Sequence, residues 1–188
     1  MLRVHYGQQL EELNKKLIEM GAYCEDCISE VATALNKKNN KTEDLKTKEQ
    51  ALTSLLNKVY STDASIDQME RDIETLCLKL LLQQQPVAGD LRLISAALKM
   101  ISDMERIGDQ ASDIADITKY LENSELTQHV HIQQMAESAM SMLTESIDAF
   151  VRKDLLLARK VMKEDNTVDA LFNQIKLEVI QEIARNPD

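Results

Sequence analysis

Residues 10–34 read LEELNKKLIEMGAYCEDCISEVATA, and their apolar positions decide the fold. Leu10, Leu13, Leu17, Met20, Cys24, Cys27, Val31 and Ala34 are separated by alternating steps of three and four residues. That spacing places them on one stripe of a helix and is the seam of packed, slightly supercoiled helices. The helix predicted from it runs from about His5 to Lys37 and ends in the polar stretch NKKNNKTED (36–44).

The same signal recurs outward along the chain. Leu52, Val59, Ile66, Ile73 and Leu80 form one heptad position of a second helix, over about 43–84, with Leu55, Met69 and Leu76 beside it. Gln-Gln-Gln-Pro at 83–86 breaks it, because proline suits the first turn of a new helix and not the inside of an old one. A third helix, about 87–121, carries Leu93, Met100, Ile107, Ile114 and Leu121 at one heptad position and Ala97, Met104 and Ala111 at another. A fourth covers about 127–153 and a fifth about 155–185.

Composition agrees. Among 188 residues there are 4 Gly, 2 Pro, 2 Phe, 4 Tyr and no Trp, too few turn residues and aromatics for a β-sandwich or barrel. The formal charge of −10 disfavours nucleic acid, whose phosphates need Lys and Arg. No apolar run approaches the roughly 18 residues of a membrane span, and the N-terminus carries no apolar signal core, so a cytosolic location is expected.

The order of helices is partly repeated. A shift of 102 lays Lys58-Val59, Asp63, Asp67 and Ile73 on Lys160-Val161, Asp165, Asp169 and Ile175. A shift of 115 lays Met20, Ser29-Glu30 and Ala34-Leu35 on Met135, Thr144-Glu145 and Ala149-Phe150. Helix four thus copies helix one and helix five copies helix two, dividing the chain at 1–123 and 124–188. The expected architecture is all-α: two tandem three-helix bundles of long antiparallel helices. The second lacks its last helix, so a segment of about 35 residues is expected beyond residue 188.

The chemistry lies in the carboxylates. At about 100° per residue, Glu105, Asp109, Asp113 and Asp116 fall within an arc of about 80° on helix three. Like charges at i,i+4 oppose helix formation, so their retention calls for a reason. Gly108 and Ser112 flank the arc and leave room for an ion, its waters or a neighbouring backbone. Asp63, Asp67, Glu70 and Glu74 form a comparable stripe on helix two. Paired acids on facing helices make all-oxygen metal sites in bundles, suited to Mg, Mn or Fe more than copper. Such stripes also occur as plain solvated faces. The metal candidates are Glu105, Asp109 and Asp113, with Asp63 and Asp67.

Other motifs carry less. Cys24 and Cys27 make a C-x-x-C, but a zinc site needs four ligands and both lie on the buried seam, where free cysteine packs as a small hydrophobe. His129 and His131 sit near a helix start, where exposure is expected. Glu-x-x-His is absent, which removes the ligands of a ferritin-like di-iron enzyme. A bundle metalloprotein or a purely structural scaffold remain as alternatives.

QQPVAGDLR (84–92), followed by ISDMERIGDQASDIADI (101–117), resembles the PhoU family of phosphate-uptake regulators. The family's acid-x-x-x-Asp motif corresponds to Glu105-Arg106-Ile107-Gly108-Asp109, and family members commonly carry Asn near the position of Asp113. The resemblance implies a cytoplasmic, often homodimeric protein that is not an enzyme and binds a cluster of Fe, Zn, Mn or Mg. It further implies a negative regulator linking the ATPase subunit of the phosphate ABC transporter to the sensor histidine kinase of the phosphate regulon.

Overall fold

The seam of residues 10–34 is a single helix, α1 (Leu2–Lys37), followed by α2 (Leu45–Gln83), α3 (Ala88–Thr118), α4 (Val130–Arg152) and α5 (Leu155–Arg185). The structure is a computed structural model and describes residues 2–37, 45–83, 87–120 and 130–185. Among these residues there is no strand. The predicted breaks at 38–44, 84–86, 121–129 and 186–188, and with them His129, lie outside the described residues.

α1, α2 and α3 pack against one another in a three-helix bundle. Every position of the α1 seam from Leu13 to Ala34 is buried, and Val59, Ile66, Ile73 and Leu80 from α2 are sealed completely. On α3 the two heptad rows separate. Ala97, Met104 and Ala111, with Ile94, Ile101, Gly108 and Ala115, face inward. Leu93, Met100 and Ile107 are half-buried, and Ile114 at 41% exposure lies on the flank. The small residues of the inner row let α3 approach closely, which turns the bulkier row aside.

The second helical pair is seated on α1. α4 packs on α1 and α5 on α4. The close approach depends on Gly21, where a side chain would overlap Ile147 Cδ1 of α4. Beside it, Thr144 Oγ1 donates a hydrogen bond to Glu25. α4 ends at Lys153, whose φ of +56° is the left-handed conformation of a helix C-terminus. There the amide of Asp154 donates to Ala149 O at 2.8 Å and that of Lys153 to Phe150 O at 3.2 Å. Asp154 then caps α5, its Oδ1 accepting from the amides of Leu156 and Leu157.

One ion pair recurs under the internal shifts. Lys58 of α2 pairs with Glu30 of α1, and Lys160 of α5 pairs with Glu145 of α4. These are the residues that the 102- and 115-residue offsets superpose. The face of α5 turned away from α4 exposes Met162, Phe172, Ile180 and Ile183.

Candidate metal centre

The inner row of small residues on α3 brings its acid stripe onto that of α2. Asp63 and Asp67, one turn apart on α2, and Asp109 on α3 each place a carboxylate oxygen within 4.8 Å of the other two. Asp63 and Asp67 are half-buried and Asp109 is exposed. Glu105, one turn before Asp109, is half-buried. Burial raises its carboxyl above the usual range, and the charges of Asp109, Glu70, Asp67 and Asp63 add to the rise. Asp113 is exposed and lies outside the converging three, though its charge is felt at Asp63. Three of the five candidates read from the sequence therefore converge, Glu105 lies close enough to feel their charges, and Asp113 stands outside the three.

Glu70 also belongs to this group. Its carboxyl is raised by burial and then by Glu74 and Asp67, with Asp109 contributing from α3. The helix-two stripe contained it, but only the crossing of α2 and α3 brings its charge within reach of Glu105. Asp116, in the same arc as Glu105, has another role. Its Oδ1 accepts hydrogen bonds from Lys119 Nζ and Tyr60 Oη, both at 2.7 Å, and the Lys119 bond above all holds its pKa down. Arg106 leans away from the acids to Asp103, at 3.8 Å. The only ion pair at the converging three among the described residues is Arg71 with Asp67, at 3.8 Å.

Two details test whether a cation fits. Asp63 Oδ2 accepts a hydrogen bond from Ser112 Oγ at 2.8 Å, while its Oδ1 is shut from solvent with no hydrogen-bond partner. Gly108 leaves the space that Oδ1 occupies, since a Cβ there would stand 2.6 Å away. An orphaned carboxylate oxygen among other carboxylates has acceptors around it and no donor, and a hard cation satisfies such a set. The donors are all oxygen. Cys24 and Cys27 are buried thiols whose pKa is pushed up to about 12, chiefly by burial. Cys24 Sγ lies 3.4 Å from Met104 O and Cys27 Sγ 3.9 Å from Val59 O, weak donors facing backbone carbonyls. These thiols are packing residues, as their place on the seam predicts. The residues present fit a divalent cation.

His131 departs from the expectation of exposure. It is half-buried between α4 and α5, with Nδ1 3.2 Å from Glu178 Oε2 and Nε2 2.8 Å from Gln174 Nε2. It stands on another helix pair and takes no part in the acid site.

A model of the PhoU domain matches residues 17–118 and 132–188. The chain belongs to the PhoU family. A PhoU homologue of Aquifex aeolicus, named as a phosphate-specific transport system accessory protein, is 35% identical over 181 residues, covering 96% of this chain and 76% of its own. The crystal structure of PhoU from Pseudomonas aeruginosa superposes with a TM-score of 0.82 at 30% identity, covering 97% of this chain and 82% of its own. That of the phosphate transport system regulatory protein PhoU from Streptococcus pneumoniae has a TM-score of 0.81 at 23% identity, covering 96% and 79%, and shares the fold. As a member of this family, whose matching relatives are named as accessory proteins of phosphate transport, the chain is not an enzyme. No described helix is long and apolar enough to cross a membrane.

Proposed function

We propose that this chain is a cation-dependent regulator of phosphate transport. In this reading it is a negative regulator of phosphate uptake and of the phosphate regulon, acting as an adaptor. It links the ATPase subunit of the phosphate ABC transporter to the sensor histidine kinase, as a homodimer in the cytoplasm. Family membership and the names of its relatives support the phosphate role. The observation that carries the cation is the convergence of Asp63, Asp67 and Asp109, with the free Oδ1 of Asp63. Asp63, Asp67 and Asp109 would hold the ion, with Glu105 and Glu70 flanking it and Asp113 at the edge. The ion, one of Mn, Mg, Fe or Zn, supplies positive charge that offsets acid–acid repulsion and ties α2 to α3. We further read residues 1–123 and 124–188 as the two repeats, the ion pairs Lys58–Glu30 and Lys160–Glu145 occupying equivalent places.

The test is made in cells lacking the gene and complemented with wild type or Asp109→Asn. Phosphate uptake and a regulon reporter are measured in ample phosphate. Loss of the gene should derepress both, wild type should restore repression, and the variant should fail to. Unchanged uptake and reporter on gene loss would overturn the phosphate reading. Full repression by the variant would overturn the need for the ion.

A further inference from the structure

We infer that Gly108 and Ser112 are positioning residues of the cation site, which together fix Asp63 so that Oδ1 alone is offered to the ion. The inference rests on the cation reading above. It begins with the crossing of α2 and α3. A methyl group built on Gly108 would lie 2.6 Å from Asp63 Oδ1 and 3.1 Å from Ile66 Cδ1. Ile66 is sealed in the core and has little room to give, whereas the half-buried carboxyl of Asp63 can be pushed aside. The bare backbone at 108 is therefore what lets Asp63 lie against α3.

Ser112 lies one turn further along the same face. Its hydroxyl donates to Asp63 Oδ2 at 2.8 Å, which occupies that oxygen and sets the plane of the carboxyl. The other oxygen is left buried and without a donor. Glycine and serine are both weaker helix formers than alanine, and α3 runs unbroken through both positions. Their use in the middle of a 31-residue helix is explained by what they do to Asp63. Asp109 follows Gly108 directly in the chain, so the element that makes room for Asp63 also brings the facing ligand. A proton can satisfy one of the three carboxylates, whereas a cation serves all three together.

Mn²⁺ binding to the chelator-stripped full chain tests this, measured by calorimetric titration and by the free-Mn²⁺ electron paramagnetic resonance signal. Ser112→Ala and Gly108→Ala should each weaken binding at least about tenfold, the range found when partners that orient metal ligands are removed. Ser112→Thr keeps the hydroxyl and should stay within about threefold of wild type, a rescue that a packing role would not give. Circular dichroism of the stripped variants checks the fold. Should Gly108→Ala fail to fold, the Ser112 pair carries the test. If Asp109→Asn abolishes Mn²⁺ binding while Ser112→Ala binds as wild type, the cation reading stands and the positioning inference falls. The same follows if Ser112→Thr is as weak as Ser112→Ala. A wild-type chain that takes up no Mn²⁺ overturns both.

Discussion

Replacing Asp109 with Asn removes one charge from the acid site and keeps its shape. In wild type its carboxylate oxygen lies within 4.8 Å of those of Asp63 and Asp67. Two unit charges at that distance repel by about 0.9 kcal/mol in bulk water and by about 3.5 kcal/mol at an effective dielectric of 20. Asp109 is exposed, so the watery limit applies, and two neighbours give roughly 1–2 kcal/mol of relief. For a chain of this length that is a rise in Tm of about 2–8 °C in chelator. Mn²⁺ reverses the order. At a hundredfold excess over Kd, an ion bound only by the folded state adds about 2.7 kcal/mol to wild type and nothing to a variant that cannot hold it. Calorimetric melts at pH 7.5, in chelator and then in Mn²⁺, should therefore cross: the variant melts higher without metal and lower with it. Glu105→Gln added to Asp109→Asn should widen the gap in chelator. A variant that melts at or below wild type in chelator would show that the acids do not repel there. A variant that gains as much as wild type from Mn²⁺ would place the ion elsewhere.

The pH dependence of the stripped chain has a definite sign. Burial first, and neighbouring acids after it, raise the carboxyls of Asp63, Glu70 and Glu105, so the folded state binds their protons more readily than the unfolded. Their penalty is complete at neutral pH and is relieved as pH falls through the raised folded values toward the unfolded values of about 4. The urea midpoint in chelator should rise as pH falls from neutral through the raised carboxyl range toward about 4, and with Mn²⁺ present it should fall, because protons compete for the ligands. A flat midpoint in chelator would contradict the shared site. Gly21→Ala should cost about 1 kcal/mol, as crowding of Ile147 outweighs better helix propensity, yet it should stabilise the Ile147→Val chain, which lacks the clashing methyl. Equal cost in both backgrounds would refute the close approach of α1 and α4. Lys153→Gly should stabilise by roughly 0.5–1 kcal/mol, because a left-handed φ strains lysine and not glycine; a lower Tm would contradict this.

Much of this was legible along each helix and little of it between helices. The three-four spacing of α1 names the residues that are buried, because a stripe on a long helix has only one face to offer a core. The acid rows were equally visible, and Gly108 and Ser112 stood out as small residues beside them. That Asp63 and Asp67 meet Asp109 could not be read, since it depends on how α2 and α3 are rotated and shifted along each other. The same gap explains Asp116. Its angle on α3 puts it among the acids, but Tyr60 reaches it from α2 and Lys119 from the helix end. Ile114 fits a heptad and yet lies on the flank, because the alanine and glycine row decides which side of α3 comes close. His131 needed a partner that only the α4–α5 pairing supplies.

The position of α1 between both helical groups also orders the assembly of the chain in time. Contacts within the first bundle join residues separated by 28 for Glu30 to Lys58, 49 for Asp63 to Ser112 and 80 for Cys24 to Met104. The α4–α5 pair closes over 15 residues between Glu145 and Lys160. The seat of α4 on α1 joins Glu25 to Thr144 across 119 residues. Closing a long loop costs more entropy than closing a short one, so a seam of high sequence separation forms late. It forms cheaply only once the first bundle has folded and shortened the path. Docking at Gly21 is therefore expected late in folding, and its reversal early in opening. Amide exchange in α4 and α5 then reports on that joint, while exchange in the α1–α3 core reports on the whole.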